Sequence, residues 1–340
     1  MGKGARTLKK LALLLALILL LLSSAACTAK PYCSETFYLM DTLITVTLYT
    51  EDEQVAKPIF DDCRAILTEL EALWARQRSE SEIARFNRSE QGADTLDPRT
   101  VALLQTALKA SAATDGAFDI TVAPAVELWQ RCGDEARLPT QAEIDSVLSD
   151  IGYQSLTLLG DSLQKSRPTV QIDLGGIGKG AAISALISNL EGSVVSGGLV
   201  SFGSNVAVFG EKPDGSVFQI ALRDPKNKNA SVGTLRMTGG KVLSVSGDYE
   251  RYVTIDGVQY HHIVDPKTAY PSDSGLASVA VICEDGALAD ALSTALFVMG
   301  HARAMEFYRK GIYDFEAILI SSDGTVSVTD GLQNDFSASI

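Results

Sequence analysis

The sequence predicts an α+β fold in which mainly antiparallel sheets pack against helices. Short β-branched runs joined by Gly, Asp and Asn turns dominate the chain after residue 170, and few helical segments interrupt them. No fixed-period repeat or low-complexity tract is present. A chain of 340 residues with 46% hydrophobic and 21% charged residues is typical of a globular protein with one large domain or two ordinary ones.

The first 26 residues have the pattern of a signal peptide. Basic residues precede an apolar run over 11–22, which is followed by small residues and Cys27. As a helix this run rises only about 18 Å, too short for a hydrocarbon core of about 30 Å. Cys27 follows two alanines, as in a bacterial lipobox, so we expect lipidation at Cys27, a tether over 27–36 and an extracytoplasmic protein anchored to a bacterial membrane. A plain secretory signal is the alternative.

The charge of the chain argues against nucleic acid as a partner. Its formal net charge is −13, and removal of residues 1–26, with four basic residues and no acids, brings it to −17. We expect anionic headgroups to repel such a body. The four cysteines beyond Cys27 have no metal-site spacing, and we expect inert packing for them.

Periodicity and capping signals predict the elements of the first half. Alternation over 37–49 predicts a strand, and apolar residues at helical spacing over 59–76 predict a helix. Asp97 followed by Pro98 predicts the start of a second helix that reaches about residue 113. A capping box from Thr140 to Glu143 predicts a third, which ends near Gly152.

The second half is predicted to be mostly strands, with a possible lobe boundary between 37–165 and 166–330. Helices are expected over Lys179–Asn189, Asp285–Met299 and about 302–310. Strands are expected at Val170–Asp173, Val194–Ser196, Val206–Phe209, Phe218–Leu222, Val242–Val245, Arg251–Ile255, Leu276–Cys283, Ala317–Ile320 and Thr325–Thr329.

A glycine-rich turn, IDLGGIGKG, covers 172–180, where a strand is predicted to end and a helix to begin. Such a turn lets the backbone approach a ligand and aims helix N–H groups at an anion. The turn lacks the Gly and Ser/Thr positions of a phosphate-binding P-loop, and its loose dinucleotide fingerprint lacks a later acid for a ribose. A plain strand-turn-helix corner is the alternative. Asp173 and Lys179 in the turn favour phosphate and metal chemistry.

Two further segments combine polar groups with apolar surroundings. Asp290 and Thr294 lie four residues apart on an apolar helix, so they share one face. They suit a hard cation that takes further oxygens from elsewhere, or they form a polar helix edge in which Thr294 bonds back to the preceding turn. Asp119 lies in an apolar stretch and is either a hydrogen-bond hub or a ligand contact.

The segment HHIVDPKTAYP, 261–271, contains two of the three histidines of the chain. Asp-Pro and Tyr-Pro pairs stiffen it. A histidine and an aspartate three residues apart in such a rigid loop favour a functional site over a purely structural role.

The order of these motifs resembles that of the ApbE family of FAD:protein FMN transferases. The resemblance covers roughly 37–330 and implies an ApbE-like (T-fold-like), two-lobed architecture. Family members commonly have Gly where Asp41 and Ala269 stand, and often Tyr where Gln77 stands. The motifs, in chain order, are MDT (40–42), SEIARFN (81–87), GAFDIT (116–121), IDLGGIGKG (172–180), GSN (203–205), RDP (223–225), SGDYERY (246–252), HHIVDPKTAYP (261–271) and ADALSTALFVMG (289–300).

The resemblance implies an enzyme that uses FAD and Mg²⁺ and transfers FMN to a threonine hydroxyl of an acceptor protein, with AMP released. The acceptor would be an extracytoplasmic flavoprotein, possibly a subunit of a redox-driven ion-pumping complex. By motif matching, the metal would be held by Asp290, Thr294 and the Gly176 carbonyl. The flavin nucleotide would contact Met40, Ala117, Phe118, Asp119, Asp173, Lys179, His262 and Ile263.

The catalytic groups implied are Lys179, which adds positive charge, and His262 or Asp173 as the base. Two alternatives remain at this point: an FAD pyrophosphatase that releases FMN and AMP, and a non-catalytic flavin-binding lipoprotein. An NAD-dependent dehydrogenase is disfavoured because the acid that would hold a ribose is missing. The Asp-Gly-Thr of 323–325 lacks the small-residue context of a modified threonine, which argues against self-modification.

Overall fold

A computed structural model of the chain describes residues 32–339 and has the predicted α+β fold. Seven α-helices lie within these residues: α1 (Glu53–Trp74), α2 (Glu82–Arg88), α3 (Pro98–Ala113), α4 (Ala123–Asp134), α5 (Gln141–Leu148), α6 (Gly178–Glu191) and α7 (Gly286–Arg309). The strands of the first half are β1 (Cys33–Leu39), β2 (Thr42–Leu48), β3 (Gly92–Ala93), β4 (Leu156–Leu159) and β5 (Ser162–Lys165). Those of the second half are β6 (Gly197–Phe202), β7 (Asn205–Gly210), β8 (Phe218–Asp224), β9 (Asn227–Met237), β10 (Lys241–Gly247), β11 (Tyr252–Ile255), β12 (Val258–His261), β13 (Leu276–Cys283), β14 (Glu316–Ser321), β15 (Val326–Val328) and β16 (Phe336–Ala338).

The main sheet has eight antiparallel strands in the order β1-β2-β6-β7-β10-β13-β14-β15. Helices α1, α3, α6 and α7 contribute to the apolar clusters on one face, and the small sheet β16-β9-β8 shares another cluster with the main sheet. Helices α4 and α5 pack with the β11–β12 hairpin. More buried and more exposed residues alternate in β1 and β2, because successive side chains of a strand point to opposite faces. All eight residues of β13 are buried, since its two faces contribute to two different clusters.

The strand predicted over 37–49 is two strands, which is a correction. β1 and β2 form a hairpin whose turn residues, Met40 and Asp41, have φ angles of 51° and 57°. A glycine usually relieves this left-handed conformation, and no glycine marked the turn in the sequence. The Met40 amide donates to Glu71 Oε1 at 2.8 Å, a contact with α1 that holds the turn from outside the hairpin.

The strand predicted at Val170–Asp173 is also wrong. Asn87 donates from Nδ2 to the Ile172 carbonyl at 2.9 Å and accepts from the Ile172 amide at 2.8 Å. One side-chain amide thus replaces the partner strand and satisfies both backbone groups. The strand predicted at Val194–Ser196 is displaced, since β6 begins at Gly197. Sequence analysis did not predict α2, α4, β3, β4, β5, β9, β12 or β16.

Capping signals placed helix ends well. Asp97 accepts from the Arg99 amide at the start of α3, and Thr140 and Glu143 form the predicted capping box of α5. The predicted interruption after Met299 is confirmed, because Gly300 has non-helical angles, φ 75° and ψ 168°, within α7. These features are local, so the sequence around each one suffices to predict it.

The signal peptide and Cys27 lie outside the described residues. β1 begins at Cys33, so it overlaps the predicted tether of 27–36. The lobe boundary near residue 165 stays a prediction. Within 32–339, no helix is both long and apolar enough to cross a membrane, and Cys33, Cys63, Cys132 and Cys283 are free thiols.

Candidate active site

The glycine turn leads directly into α6 and carries charged groups at both ends. Asp173 Oδ1 accepts from the Gly175 amide at 2.7 Å, which closes the start of the turn. Lys179, in the first turn of α6, donates from Nζ to the Gly175 carbonyl at 3.0 Å. The turn therefore presents a helix N-terminus together with an ammonium group, which suits an anion.

Two glycines allow α6 and α7 to meet backbone to backbone at this turn. A Cβ added to Gly180 would lie 1.9 Å from the Gly286 carbonyl oxygen, and one added to Gly286 would lie 2.4 Å from the Gly180 carbonyl oxygen. Any side chain at either position would push the helices apart. This close approach lets the Gly180 amide donate to Asp290 Oδ2 at 2.9 Å.

Asp290 is buried, with 3% of its surface exposed, and it is the acid nearest the turn along α7. Its Oδ1 accepts from Asn205 Nδ2 at 3.1 Å and from Ser244 Oγ at 2.8 Å. Lys179 Nζ lies 3.9 Å from Oδ2. The strands β7 and β10 and the helix α6 therefore all orient one carboxylate.

Thr294 lies one helical turn further along α7 and faces the glycine turn. A Cβ added to Gly176 would lie 3.4 Å from Thr294 Oγ1 and 3.3 Å from the Phe118 ring. Thr294 Oγ1 is also 3.3 Å from Ser246 Oγ and 3.4 Å from the Asp290 carbonyl oxygen, the helix back-bond considered above. The three residues predicted to hold a metal thus lie next to one another.

The donor groups of this cluster fit a hard cation. Within 32–339, no group of three or more His, Cys, Asp or Glu side chains is arranged to hold a metal. The predicted ligands are instead one carboxylate, one hydroxyl and one backbone carbonyl, all oxygen groups of the kind that Mg²⁺ prefers. Asp290 accepts three hydrogen bonds out of about four lone-pair positions, which leaves room for a further partner.

The two adjacent histidines differ in their hydrogen bonds. His261 donates from Nε2 to the Ser272 carbonyl at 2.9 Å and accepts at Nδ1 from the Ile263 amide at 3.2 Å, so both nitrogens are occupied. His262 donates from Nδ1 to the Arg251 carbonyl at 3.1 Å. In the neutral ring this leaves Nε2 of His262 unprotonated and free to accept a proton.

Both rings are kept neutral by their surroundings. Protein crowded around the imidazole lowers the pKa of His262 to about 4; the bond to the Arg251 carbonyl opposes this shift, and the Lys179 charge reinforces it. His262 is nevertheless an exposed residue. Burial lowers the pKa of His261 as well. His262 can thus act as a base at neutral pH.

Asp173, the other candidate base, is engaged by Arg76, a residue that sequence analysis missed. Arg76 Nε lies 2.9 Å from Asp173 Oδ2, and the same guanidinium pairs with Glu127 of α4. With Oδ1 bonded to the Gly175 amide, both oxygens of Asp173 have partners. The sequence does not reveal this contact, because Arg76 and Asp173 are far apart in the chain. Arg76 also lies just after α1, in a segment with many charges.

The Ala117-Phe118-Asp119 segment lies beside the turn, and Asp119 is a hydrogen-bond hub. Its Oδ1 accepts from the Thr121 amide at 2.8 Å and the Thr121 hydroxyl at 2.6 Å, and its Oδ2 accepts from the Tyr153 amide at 2.7 Å. Burial raises the pKa of Asp119, although these bonds oppose the shift. Ala117 and Phe118 are buried, and the Asp173 amide donates to the Ile120 carbonyl at 2.7 Å.

Met40 and Ile263 approach the same region from two other elements. Asp41, next to Met40, pairs with Arg251 at 3.1 Å, and the Arg251 carbonyl in turn holds His262. Ile263 is buried behind the histidines, with 5% of its surface exposed. Ala269, where a glycine is usual in the resembled family, has a φ of 58°, and its carbonyl accepts from Trp129 Nε1 at 2.8 Å.

A shallow depression of about 360 Å³ lies elsewhere, at the C-terminal end of α6. Val55, Ile59, Asn189 and Val194 are among its lining residues, and none of the predicted site residues lines it. The chemistry of the glycine turn, rather than the size of this depression, identifies the candidate site.

Comparison with known proteins gives a consistent result. The family model described as ApbE family matches residues 40–319. An FAD:protein FMN transferase of Vibrio cholerae is 31% identical over 262 residues, covering 74% of this chain and 78% of the relative. One of Escherichia coli K12 is 34% identical over 259 residues, covering 72% and 73%.

Solved structures show the same fold. The ApbE protein of Thermotoga maritima aligns with a TM-score of 0.79 at 28% identity, covering 88% of this chain and 97% of that chain. The apo form of the Pseudomonas stutzeri flavinyl transferase ApbE aligns with a TM-score of 0.78 at 29% identity, covering 91% and 98%.

Proposed function

The chain belongs to the ApbE family, and we propose that it transfers FMN from FAD to a threonine hydroxyl of an acceptor protein in a Mg²⁺-dependent reaction that releases AMP. The observation that carries the proposal is the meeting of Asp290, Thr294 and Gly176 at the glycine turn. A helix N-terminus, an ammonium group and a hard-cation donor set in one place suit the linked phosphates of a dinucleotide.

The proposed Mg²⁺ ligands are the Asp290 carboxylate, the Thr294 hydroxyl and the Gly176 carbonyl. When bound there, Mg²⁺ would neutralise charge on the pyrophosphate and stabilise the departing phosphate of AMP. Lys179, 3.9 Å from Asp290, adds a second positive charge on the same side. Phosphoryl transfer depends mainly on such neutralisation and alignment, so this chain needs no covalent intermediate.

His262 is the base that the geometry favours over Asp173. Its Nε2 is free and the ring is neutral, whereas both oxygens of Asp173 have partners. In the step proposed, the threonine oxygen attacks the phosphorus of the FMN half and the bond to the AMP phosphate breaks. The hydroxyl proton passes to Nε2 of His262 and then to solvent, so FAD and threonine become FMN-threonine phosphoester and AMP.

The flavin-nucleotide contacts proposed are Met40, Ala117, Phe118, Asp119, Asp173, Lys179, His262 and Ile263. Asp119 would act mainly by holding its segment in place, because its three hydrogen bonds are all to neighbouring backbone and hydroxyl groups. Asp173 would likewise fix the turn, through Arg76 on one side and the Gly175 amide on the other.

An FAD pyrophosphatase is the second candidate. The exposure of His262 supports it, because Nε2 of this residue can activate a water molecule in place of a threonine. The products then are FMN and AMP, with no modified protein.

The test is incubation of the mature protein with FAD, MgCl₂ and a purified extracytoplasmic flavoprotein acceptor. Intact mass of the acceptor should increase by one FMN group, and AMP should appear in equal amount. An acceptor with its threonine changed to alanine is the control. Release of FMN and AMP with no modified acceptor would establish the pyrophosphatase, and retention of FAD without turnover would establish a carrier.

We also propose lipidation at Cys27 and an extracytoplasmic location on a bacterial membrane. The basic, apolar and small-residue order of 1–27 supports this. The acceptor would then lie on the same side of the membrane, for example in a redox-driven ion-pumping complex. Radiolabelled palmitate in wild type but not in Cys27→Ala would support the anchor, and equal labelling of both proteins would refute it.

A further inference from the structure

The outer face of the main sheet carries two exposed apolar side chains beside the β1–β2 turn. Tyr38 is 68% exposed and Leu43 is 61% exposed, and the two are direct partners in the antiparallel register. Opposed side chains on one face have Cβ atoms about 5 Å apart, so the two form one surface. Tyr38 and Leu43 are called the rim patch below.

The rim patch lies outside the layers that cover the rest of the sheet. Residues of β1 and β2 that point to the other face, such as Phe37 and Ile44, are fully buried in the main core. On the outer face, the apolar cluster shared with β8, β9 and β16 takes residues from β7, β10, β13 and β14 but includes neither Tyr38 nor Leu43. Adjacent large apolar side chains left exposed in this way are typical of a contact surface.

One chain of contacts links the rim patch to the proposed base. The Tyr38 hydroxyl donates to Asp41 Oδ1 at 3.0 Å, and Asp41 pairs with Arg251 at 3.1 Å. The Arg251 carbonyl accepts from His262 Nδ1, as described above. The patch is therefore three contacts away from the ring of His262, whose other nitrogen would take the threonine proton.

A second chain of contacts links the patch to the proposed metal ligand. The Leu43 carbonyl accepts from the Gly203 amide at 3.2 Å, and Asn205, two residues further, donates to Asp290 Oδ1. The patch is thus connected through contacts to both the proposed base and the proposed metal ligand, which is the continuity expected of a surface that a macromolecular substrate covers.

We propose that the rim patch docks the acceptor polypeptide through an apolar side chain next to the target threonine. The inference rests on the proposed function. A threonine can reach Nε2 of His262 only if the residues that flank it lie over the surrounding surface. The rim patch is linked to that residue by the contacts above, and it is more exposed than Tyr252 and Tyr270, the exposed aromatic side chains near His262 in the sequence, which are 48% and 40% exposed. FAD is small enough to bind at the glycine turn without it, so the patch should affect the protein substrate and not the dinucleotide.

The test uses a Tyr38→Thr/Leu43→Thr double variant, since threonine keeps the β-propensity of each strand. An acceptor whose target threonine is changed to alanine is titrated onto the mature protein in the presence of FAD, so that binding is measured without transfer. We expect the variant to bind this acceptor about ten-fold more weakly than wild type. FAD affinity, from quenching of flavin fluorescence, should stay within about two-fold.

Two controls keep the result specific. Leu159→Thr/Ile312→Thr removes two other exposed apolar side chains, 58% and 50% exposed, and should leave acceptor binding unchanged. Leu43→Lys alone, which removes no side-chain hydrogen bond, should weaken binding even if the double variant folds poorly.

The outcomes separate this inference from the proposed function. Equal acceptor binding by wild type and patch variants, no acceptor binding by wild type, or patch-dependent self-association would overturn the inference. So would a loss of FAD affinity, which would make the patch a flavin contact. A different outcome is that the acceptor binds through the patch but wild type never modifies it. This outcome would support the docking surface and refute the proposed transferase activity.

Discussion

His261 and His262 are neighbours in the sequence, yet they hold their protons on different ring nitrogens. The Ser272 carbonyl fixes the proton of His261 on Nε2, and the Arg251 carbonyl fixes that of His262 on Nδ1. Since His261 also accepts from a backbone amide, it is a structural residue, whereas His262 keeps one nitrogen available. The backbone partners of the two rings therefore decide which of two identical side chains can act as a base.

Replacement of each histidine by glutamine should separate these roles. His262→Gln should lower the transfer rate at least about 100-fold, because a general base contributes roughly 10²–10⁴ in rate. His261→Gln should reduce the melting temperature more than the rate per folded molecule. Transfer rates at saturating FAD and melting curves for both proteins provide the measurement, and equal losses of rate in the two variants would contradict the assignment.

Sequence analysis selected candidate residues for the chemistry but not the residues that orient them. His262, Asp290 and Thr294 stand out because polar groups interrupt rigid or apolar segments. Arg76 and Arg251 do not stand out, because each lies in a charged stretch and its role depends on a partner distant in the chain, Asp173 or Asp41. Such pairings become visible only when the fold is known.

At the scale of elements, the crossing of α6 and α7 determines the geometry of the site. Gly180 and Gly286 allow backbone contact, and this contact brings the Gly180 amide to Asp290. The crossing also lets Ser184 of α6 accept from the Gly286 amide at 2.9 Å. A small increase in the separation of the two helices would therefore break the buried hydrogen bond from the Gly180 amide. It would also displace Asp290, the proposed metal ligand.

Gly180→Ala should test this crossing. The added methyl would overlap the Gly286 carbonyl, so we expect a loss of roughly 2–3 kcal/mol in the free energy of unfolding and weaker Mg²⁺-dependent FAD binding. Gly192→Ala, at the other end of α6, is the matched control, since its Cβ would meet the nearest atom at 3.5 Å. Urea unfolding of both variants is the measurement, and equal stabilities would show that the helices can separate without cost.

Elements were predictable where the signal is local and unpredictable where a distant contact supplies it. The starts of α3 and α5 follow from caps within four residues. The β1–β2 turn is held by contacts with Glu71 and Arg251. Residues 170–173 do not form a strand, because the Asn87 side chain bonds the backbone of Ile172. Alternation over 37–49 continues through the turn, which is why one strand was predicted there.

At the scale of the whole molecule, the histidines make stability depend on pH. The pKa values of His261 and His262 in the folded state are below the ordinary 6.5, because burial disfavours the charged rings. Below pH 6.5 the unfolded chain therefore binds more protons than the folded protein, and stability falls as the pH falls. The raised pKa of Asp119 has the opposite effect on stability. As the pH falls toward the ordinary value of 3.8, the folded protein binds this proton before the unfolded chain does.

The melting temperature should accordingly decrease between pH 7 and pH 5, by roughly 2–4 °C for each kcal/mol lost. A His261→Gln/His262→Gln double variant should show a shallower decrease, whereas His301→Gln, at an exposed position, should keep the slope of wild type. Circular dichroism melts at constant ionic strength measure this. A flat wild-type profile, or the same slope in the double variant, would rule out the histidines as the cause.

The candidate site and the start of the described chain lie near opposite ends of α6. Burial, and then the charges of Glu53 and Asp52, raise the pKa of Cys33, which places the first residue of β1 beside the start of α1. That start adjoins the C-terminal end of α6, because Val55 and Asn189 line one depression. The glycine turn is at the other end of α6. Because this helix has 14 residues, the two ends are about 20 Å apart.

A lipid anchor at Cys27 would therefore hold the candidate site away from the membrane surface, and removal of the anchor should change access to substrate rather than catalysis. We expect Cys27→Ala to leave the membrane fraction and to modify a soluble acceptor fragment at the wild-type rate. Its transfer to an acceptor embedded in vesicles should decrease at least about ten-fold, because anchoring both proteins raises their effective concentration. Fractionation with the two transfer assays tests this, and a slower reaction with the soluble fragment would mean that residue 27 supports the fold itself.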